Sequence, residues 1–266
     1  MTIAVLGATG TVGSRVITEA RARGHRVLAL SRKPASADPG VTPVAVDARD
    51  PRAVHEALSR LAARAGEKGD DGEKGDAGEK GEAVEKRDAV EKGEAVDAVV
   101  LTVRTEPVDQ EFLVDATRTV LDSAAQLGAR LLVVGGAGAL RSSDDTDLLV
   151  ADNPAYVPAE LKAVAAAGIA QLRACQAHAD ADADWVFLSP PALLEPGERT
   201  GRYLRGTDTL LTAADGRSWI SAEDLAVAVL DELETPVPGP DRHITVVHAS
   251  PGSPRPRTPS TSAATR

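Results

Sequence analysis

Three glycines near the start of the chain have the spacing of a phosphate-binding loop. They stand in the segment Ile-Ala-Val-Leu-Gly-Ala-Thr-Gly-Thr-Val-Gly at residues 3–13, directly after an apolar run and at the start of an amphipathic one. A strand that turns sharply into a helix there brings backbone amides and the positive end of the helix dipole to a pyrophosphate. A purely structural turn is the alternative. The loop predicts a dinucleotide site with contacts from Gly7, Thr9, Gly10, Thr11, Val12 and Gly13.

Two cations follow the second predicted strand and favour a phosphorylated cofactor. The strand at 27–30 runs into Ser31, Arg32 and Lys33, where NAD-binding proteins usually carry an acidic residue for the ribose hydroxyls. Arg32 can form a bidentate pair with a 2′-phosphate, and Lys33 adds a second positive charge. NADP(H) is therefore the expected cofactor, with a solvated basic loop as the alternative interpretation of the two residues.

The remaining cofactor candidates stand at the ends of later predicted strands. Asp47 and Ala48 follow the third strand, and we expect Asp47 to meet the adenine edge or, alternatively, to cap a turn. Thr102 and Arg104 follow the fourth strand, and Gly135 follows the fifth. Since an arginine at a strand end is unusual as packing, we interpret Arg104 as a contact to cofactor or substrate, with packing as the alternative.

Apolar runs alternate with amphipathic segments along the rest of the chain. The runs are continuous and rich in β-branched residues, which is typical of a parallel sheet covered by helices on both faces. Predicted strands are 3–6, 27–30, 44–46, 98–102, 131–134, 185–188 and 244–247, and predicted helices are 11–23, 51–65, 109–127, 159–178 and 225–233. This alternation predicts a Rossmann-like, doubly wound α/β fold with right-handed crossovers.

Two segments differ in composition from this pattern. Residues 66–96 contain a six-residue repeat with five of the seven lysines of the chain, and with eleven acidic and six basic residues. We predict that this repeat is a solvated insertion and that the Pro-, Ser- and Thr-rich residues 250–266 form a disordered tail. Residues 1–249 are then one domain that the insertion interrupts.

Charge and residue usage exclude several classes of function. A net charge of −10 without a basic stripe disfavours nucleic acid as a partner. No apolar run reaches the roughly 20 residues of a membrane span, and the glycine loop stands where a leader would, so a cytosolic location is predicted. One cysteine and five scattered histidines predict neither a disulfide nor a metal site. The expected partner is a small molecule, and the expected state is a monomer or homodimer.

Taken together, these motifs resemble the atypical short-chain dehydrogenase/reductases, in the NAD(P)H-binding branch that includes NmrA-like proteins and reductases of the flavin/biliverdin type. The resemblance rests on GATGTVG at 7–13, LSRKP at 30–34, LLVVGGAGAL at 131–140, DWVFLSPPALLEPGERTG at 184–201 and ISAEDLAVAVLDELE at 220–234. It implies a Rossmann-like sheet of roughly seven strands, NADP(H) at the carboxyl ends of the strands, and a small C-terminal portion on the substrate side.

Catalytic candidates are few. Many short-chain dehydrogenases use Tyr-x-x-x-Lys, whereas here Tyr156 precedes Lys162 by six positions, so these two are candidates by type, with surface residues at a helix start as the alternative. A flavin or quinone needs mainly to be positioned over the nicotinamide. We therefore expect an NADPH-dependent reductase of a small planar or carbonyl acceptor. The alternative is a non-catalytic NmrA-like sensor of NADP(H); an epimerase of nucleotide sugars is disfavoured because those enzymes normally retain the Tyr/Lys pair.

Overall fold

Eight strands form the central sheet of the molecule, in the order β3-β2-β1-β4-β5-β6-β10-β8. The strands are β1 (Thr2–Leu6), β2 (Arg26–Ser31), β3 (Val41–Ala45), β4 (Ala98–Leu101), β5 (Arg130–Val134), β6 (Trp185–Ser189), β8 (Tyr203–Gly206) and β10 (His243–His248). All of them run parallel except β8, which pairs antiparallel with β10. Two short strands, β7 (Leu193–Glu195) and β9 (Trp219–Ser221), pair parallel in a separate sheet.

The computed structural model describes residues 1–34, 39–64, 96–179, 183–237 and 239–250, with the backbone alone for residues 60–64. Apart from Val96 and Ser250, the predicted insertion at 66–96 and the predicted tail at 250–266 lie outside these residues. Both segments therefore stay predictions.

Helices cover both faces of the sheet. They are α1 (Thr11–Ala22), α2 (Pro51–Arg64), α3 (Gln110–Leu127), α4 (Lys162–Gln176) and α5 (Ala222–Glu234). Helices α2, α3 and α4 bury residues such as Leu58, Val120 and Leu172 in one core, and α1 and α5 bury residues such as Val16 and Leu230 in the other. A mostly parallel sheet between two helical layers confirms the predicted Rossmann-like fold.

Local sequence signals fix the helix ends. The carboxylate of Asp50 accepts hydrogen bonds from the backbone amides of Arg52 and Ala53 at the start of α2. Gly24 follows α1 and Gly128 follows α3, at φ values of +82° and +65° that few residues other than glycine adopt. An acidic side chain at the start and a glycine just past the end are the boundaries that helices commonly use.

Several predicted boundaries differ from the structure. Helix α4 begins at Lys162 instead of 159, because a tight 3₁₀ turn at Ala159–Leu161 precedes it. Strand β3 spans Val41–Ala45 instead of 44–46. It is an edge strand, so its exposed residues break the apolar pattern and Pro43 is tolerated there.

Helix α5 anchors the loop that follows β7. The hydroxyl of Ser221 caps α5 by accepting from the amide of Asp224 at 3.0 Å. The fully buried Asp224 carboxylate does not complete a capping box. It instead accepts from the backbone amides of Thr200 at 2.8 Å and Gly201 at 2.7 Å. The C-terminal segment is thereby tied to the loop that precedes β8.

Candidate cofactor site

A crevice opens where the strand order reverses. Strand β1 lies between β2 and β4, so the chain leaves its carboxyl end in one direction and returns on the other side, which is where doubly wound folds bind ligands. A cavity of about 460 Å³ lies there. Most of the predicted cofactor residues line it: Gly7, Thr9, Gly10, Thr11, Val12, Arg32, Asp47, Ala48, Thr102 and Arg104.

The three loop glycines serve two different purposes. Gly7 has φ +90°, and a Cβ atom there would lie 2.6 Å from the hydroxyl oxygen of Thr102. A Cβ atom at Gly13 would collide with the carbonyl oxygen of Gly7, so Gly13 lies behind the loop and not in the cavity wall. At Gly10 the nearest atom would be the Gly7 oxygen at 3.3 Å. Gly7 and Gly13 are therefore needed by the fold, while Gly10 keeps the cavity open.

Thr102 holds the glycine loop against β4. Its hydroxyl donates to the carbonyl oxygen of Leu6 at 3.0 Å and lies 3.4 Å from that of Gly7. Its backbone amide also donates to the Leu6 carbonyl, at 2.9 Å. Because the Thr102 hydroxyl is engaged in these bonds, its direct contribution is to the shape of the loop.

The end of β2 presents unused polar groups to the cavity. The hydroxyl of Ser31 is buried and has no hydrogen-bond partner among the described residues. Arg32 is exposed on the cavity wall, and its guanidinium makes no hydrogen bond or ion pair within the described part of the chain. Lys33 is exposed as well but does not line the cavity. A buried hydroxyl and a guanidinium on the wall of one cavity, both without partners among the described residues, are suited to a phosphate group.

At the end of β3, the carboxylate of Asp47 is occupied by Arg49. The Arg49 guanidinium donates through Nη2 to Oδ2 at 2.7 Å and through Nε to both carboxylate oxygens at 3.1 and 3.2 Å. The backbone amide of Arg49 also donates to Oδ1, at 3.0 Å. Hydrogen bonds from Arg49 lower the pKa of Asp47 to about 2, and the charge of Arg32 contributes less.

Gly135 has a packing role. A Cβ atom there would collide with the ring of Phe187 on the neighbouring strand β6, and Gly135 does not line the cavity. Only glycine therefore allows β5 to end so close to β6.

The catalytic candidates are not brought together at the cavity. Tyr156 is half-buried beside the small apolar cluster of Leu140 and Val150, and its hydroxyl lies 3.5 Å from that of Ser143. Lys162 is exposed at the first position of α4. Neither side chain lines the cavity, and no hydrogen bond joins them in the described part of the chain. Their catalytic role stays a prediction.

A pair of polar side chains lies on strands β6 and β10. Ser189 is fully buried, and its hydroxyl lies 2.9 Å from Nε2 of His243 on β10. Burial lowers the pKa of His243, whose ring also packs edge-on against Phe187. This pair is internal to the sheet and does not face the cavity.

Sequence reasoning missed several cavity residues. Arg49 stands between a strand and the helix cap at Asp50, and a charge there has no distinctive spacing. Phe112 belongs to α3 and Leu194 to the three-residue strand β7. Leu194 reaches the cavity from far along the chain, so only the tertiary structure identifies it.

Comparison with known proteins decides the family. A family model described as NAD(P)H-binding matches residues 7–65 and 60–236. The chain belongs to the NAD(P)H-binding family. The match includes the glycine loop, the cavity residues at the strand ends and the C-terminal helix α5. Among the described residues, no helix is long and apolar enough to cross a membrane, and no cluster of His, Cys, Asp or Glu is placed to hold a metal ion.

Individual relatives extend over nearly the whole chain. The "Uncharacterized protein YwnB" of Bacillus subtilis (strain 168) is 31% identical over 238 residues, which is 89% of this chain and 93% of that protein. A "Putative exported protein" from Burkholderia pseudomallei is 31% identical with a TM-score of 0.68, over 93% of this chain and 100% of that one. A "putative NADH-flavin reductase" from Streptococcus pneumoniae TIGR4 is 23% identical with a TM-score of 0.69, over 93% and 99%. The likeness to the protein from Streptococcus pneumoniae is one of fold.

Proposed function

We propose that this NAD(P)H-binding protein is an NADPH-dependent reductase that transfers hydride to a small planar or carbonyl acceptor, such as a flavin or a quinone. The observation that carries the proposal is that the Arg32 guanidinium and the buried Ser31 hydroxyl line one cavity and have no hydrogen-bond partner among the described residues. Together they supply charge and a hydrogen-bond donor for a 2′-phosphate. The relative from Streptococcus pneumoniae carries NADH in its name. The proposed preference therefore rests on this chain's own residues.

In this proposal the other cavity residues bind the rest of the cofactor. The backbone from Gly7 to Val12 approaches the pyrophosphate, with the start of α1 providing amides and a positive dipole end. Ala48 lies at the adenine, and Arg104 at the end of β4 contacts the cofactor or the acceptor. Lys33, Gly13 and Gly135 have no place in the cavity wall. They act through general charge or through packing.

The proposed acceptor class follows from the acid–base groups on the substrate side. When bound, the cofactor supplies a hydride from C4 of the nicotinamide. A quinone that accepts the hydride also needs one proton, which solvent supplies once the acceptor ring is positioned. Tyr156, Lys162, Ser189 and His243 all lie outside the cavity wall, so none is offered as the proton donor. An acceptor that needs no protein acid is the best match for such a site.

Transient kinetics tests both parts of the proposal. The protein is titrated with NADPH and with NADH by nicotinamide fluorescence, and is then mixed anaerobically with NADPH and FMN, menadione or benzaldehyde. We expect NADPH to bind at least tenfold more tightly, and the absorbance at 340 nm to fall with menadione or FMN. Equal affinities for the two cofactors would remove the NADP assignment.

A second outcome favours the sensor alternative. Tyr156 and Lys162 lie apart and outside the cavity, which also suits a protein that binds NADP(H) without turnover. Tight NADPH binding with no oxidation by any acceptor class would contradict the reductase and support the sensor. A Gly10→Val variant, designed to block the cavity, serves as the control for background oxidation.

A further inference from the structure

A carboxylate stands on the wall where a phosphate is expected to bind. Asp47 lies two residues beyond β3 and Arg32 one residue beyond the neighbouring strand β2, and both line the same cavity. A free carboxylate there has two unfavourable effects. It repels a dianionic 2′-phosphate, and it competes with the phosphate for the guanidinium of Arg32. Protonation does not remove the charge, because the pKa of Asp47 is lowered to about 2.

Arg49 compensates for this charge. Its guanidinium fork and its backbone amide together occupy both oxygens of the Asp47 carboxylate, through the four contacts of 2.7–3.2 Å described above. The backbone amide of Arg49 holds the carboxylate in place, and the planar guanidinium donates hydrogen bonds to both carboxylate oxygens. Arg32 makes no ion pair with Asp47 among the described residues, although the positive charge of Arg32 contributes to the lowered pKa of Asp47. The arrangement leaves one guanidinium committed and one free.

We propose that Arg49 is a specificity-determining residue that favours NADPH without touching its 2′-phosphate, because it neutralises Asp47 and keeps Arg32 available for the phosphate. This inference rests on the proposed binding of NADPH in the cavity. It assigns Asp47 a role different from the adenine contact predicted from the sequence. Arg49 is a positioning residue, since it acts on the phosphate through Asp47 and Arg32.

A double-mutant cycle tests the inference. Dissociation constants for NADPH and NADH are measured for the wild type, Arg49→Ala, Asp47→Asn and the double variant, by nicotinamide fluorescence at 50 mM and 500 mM salt. Arg49→Ala is expected to weaken NADPH binding by about three- to tenfold at low salt and NADH binding by less than about twofold, since a single nearby charge acts mainly on the extra phosphate. The double variant is expected to return to within about twofold of wild type.

Two further expectations make the cycle specific. The loss in Arg49→Ala should shrink at 500 mM salt, because exposed charges are screened. Arg52→Ala, at an exposed arginine in the first turn of α2 outside the cavity wall, is the matched control and should leave both affinities unchanged.

Distinct results would overturn the inference. If the double variant stays as weak as Arg49→Ala, Arg49 itself contacts the phosphate. If Asp47→Asn alone weakens NADPH and NADH equally, Asp47 binds the adenine. An NADPH preference that is unchanged in Arg49→Ala contradicts the inference alone, whereas a wild type without any NADPH preference contradicts the proposed function.

Discussion

The two halves of the carboxyl edge of the sheet use their polar side chains in opposite ways. Over β1 to β4, Ser31 and Arg32 face a cavity and have no partners among the described residues. Over β5, β6 and β10, Ser189 is bonded to His243, and the Tyr156 hydroxyl lies beside that of Ser143. The first half presents Ser31 and Arg32 to a ligand cavity, while Ser189 and Tyr156 in the second half have neighbours within the protein and Thr245 has a buried hydroxyl without a partner among the described residues.

This difference teaches which part of the function the fold itself determines. Cofactor binding depends on the glycine loop and on the ends of neighbouring strands, which topology brings together. Chemistry on the acceptor would depend on a particular pair of side chains, and the described residues do not bring Tyr156 and Lys162 together at the cavity. The contrast predicts that substitutions in the first half strongly lower cofactor affinity and that substitutions in the second half change it little.

The largest effects are expected in the glycine loop. Gly10→Val should lower NADPH affinity by about a hundredfold or more while the protein stays folded, because the added side chain fills cavity space and the backbone at φ −78° accepts it. Gly13→Val should instead lower the free energy of unfolding by about 3 kcal/mol or prevent folding, since its Cβ atom collides with the backbone of Gly7. Circular dichroism melting and calorimetric titration distinguish the two. A Gly10→Val protein that binds NADPH normally would put the phosphates elsewhere.

A stability effect without a binding effect is expected at Asp224. The backbone amides of Thr200 and Gly201 both donate to Oδ1 of Asp224, and the Thr200 hydroxyl donates to Oδ2. Asp224→Asn keeps an oxygen for the two amides but removes the charge that strengthens these bonds, so it should lower the free energy of unfolding by about 1–2 kcal/mol. NADPH affinity should change by less than about twofold, because these residues do not line the cavity. Urea denaturation measures the first quantity and fluorescence titration the second. The exposed Glu160→Gln is the control, and a tenfold loss of NADPH affinity in Asp224→Asn would mean that the two halves are coupled.

Much of the fold could be predicted from the sequence, because buried parallel strands appear as continuous apolar runs. The runs that became β1, β2, β4, β5, β6 and β10 were predicted within one or two residues. Strands β7, β8 and β9 have only three or four residues, which is too short for a periodic pattern. The substrate side therefore stayed poorly defined until the tertiary structure was known.

The candidate site was predictable to the same extent. Strand order and the glycine loop determine the neighbours of the cavity, so Arg32, Asp47 and Thr102 were placed by sequence alone. The direction of a side chain beyond a strand end is not determined by periodicity, which is why Lys33 was predicted beside Arg32 but does not line the cavity. Pairing between side chains, such as Arg49 with Asp47, depends on local backbone geometry that residue types do not reveal.

That distinction between neighbouring cations gives the next prediction. Arg32→Ala should weaken NADPH binding at least tenfold, about 1.4 kcal/mol, with NADH affinity nearly unchanged, because it removes the free guanidinium from the cavity. Lys33→Ala should weaken NADPH binding by less than about threefold. Fluorescence titration of both cofactors provides the measurement. Equal losses in the two variants would show that charge density, and not the direction of Arg32, determines the preference.

The smallest effect is expected for the two catalytic candidates. Tyr156→Phe removes a hydroxyl whose neighbour within the described chain is Ser143 at 3.5 Å, and Lys162→Ala removes an exposed cation that lies outside the cavity wall. With an acceptor that is reduced by the protein, each variant and the double variant should keep kcat and KM within about threefold of wild type, because a general acid in use contributes roughly a hundredfold or more. The pH dependence of kcat should also be unchanged. A fall in kcat of more than tenfold with an unchanged melting temperature would identify the pair as the proton donor. The evidence would be strongest if Tyr156→Phe, Lys162→Ala and the double variant all lowered kcat by the same factor. The substrate-side half would then assemble its chemistry only after the cofactor binds, and the contrast between the two halves would hold for the free protein alone.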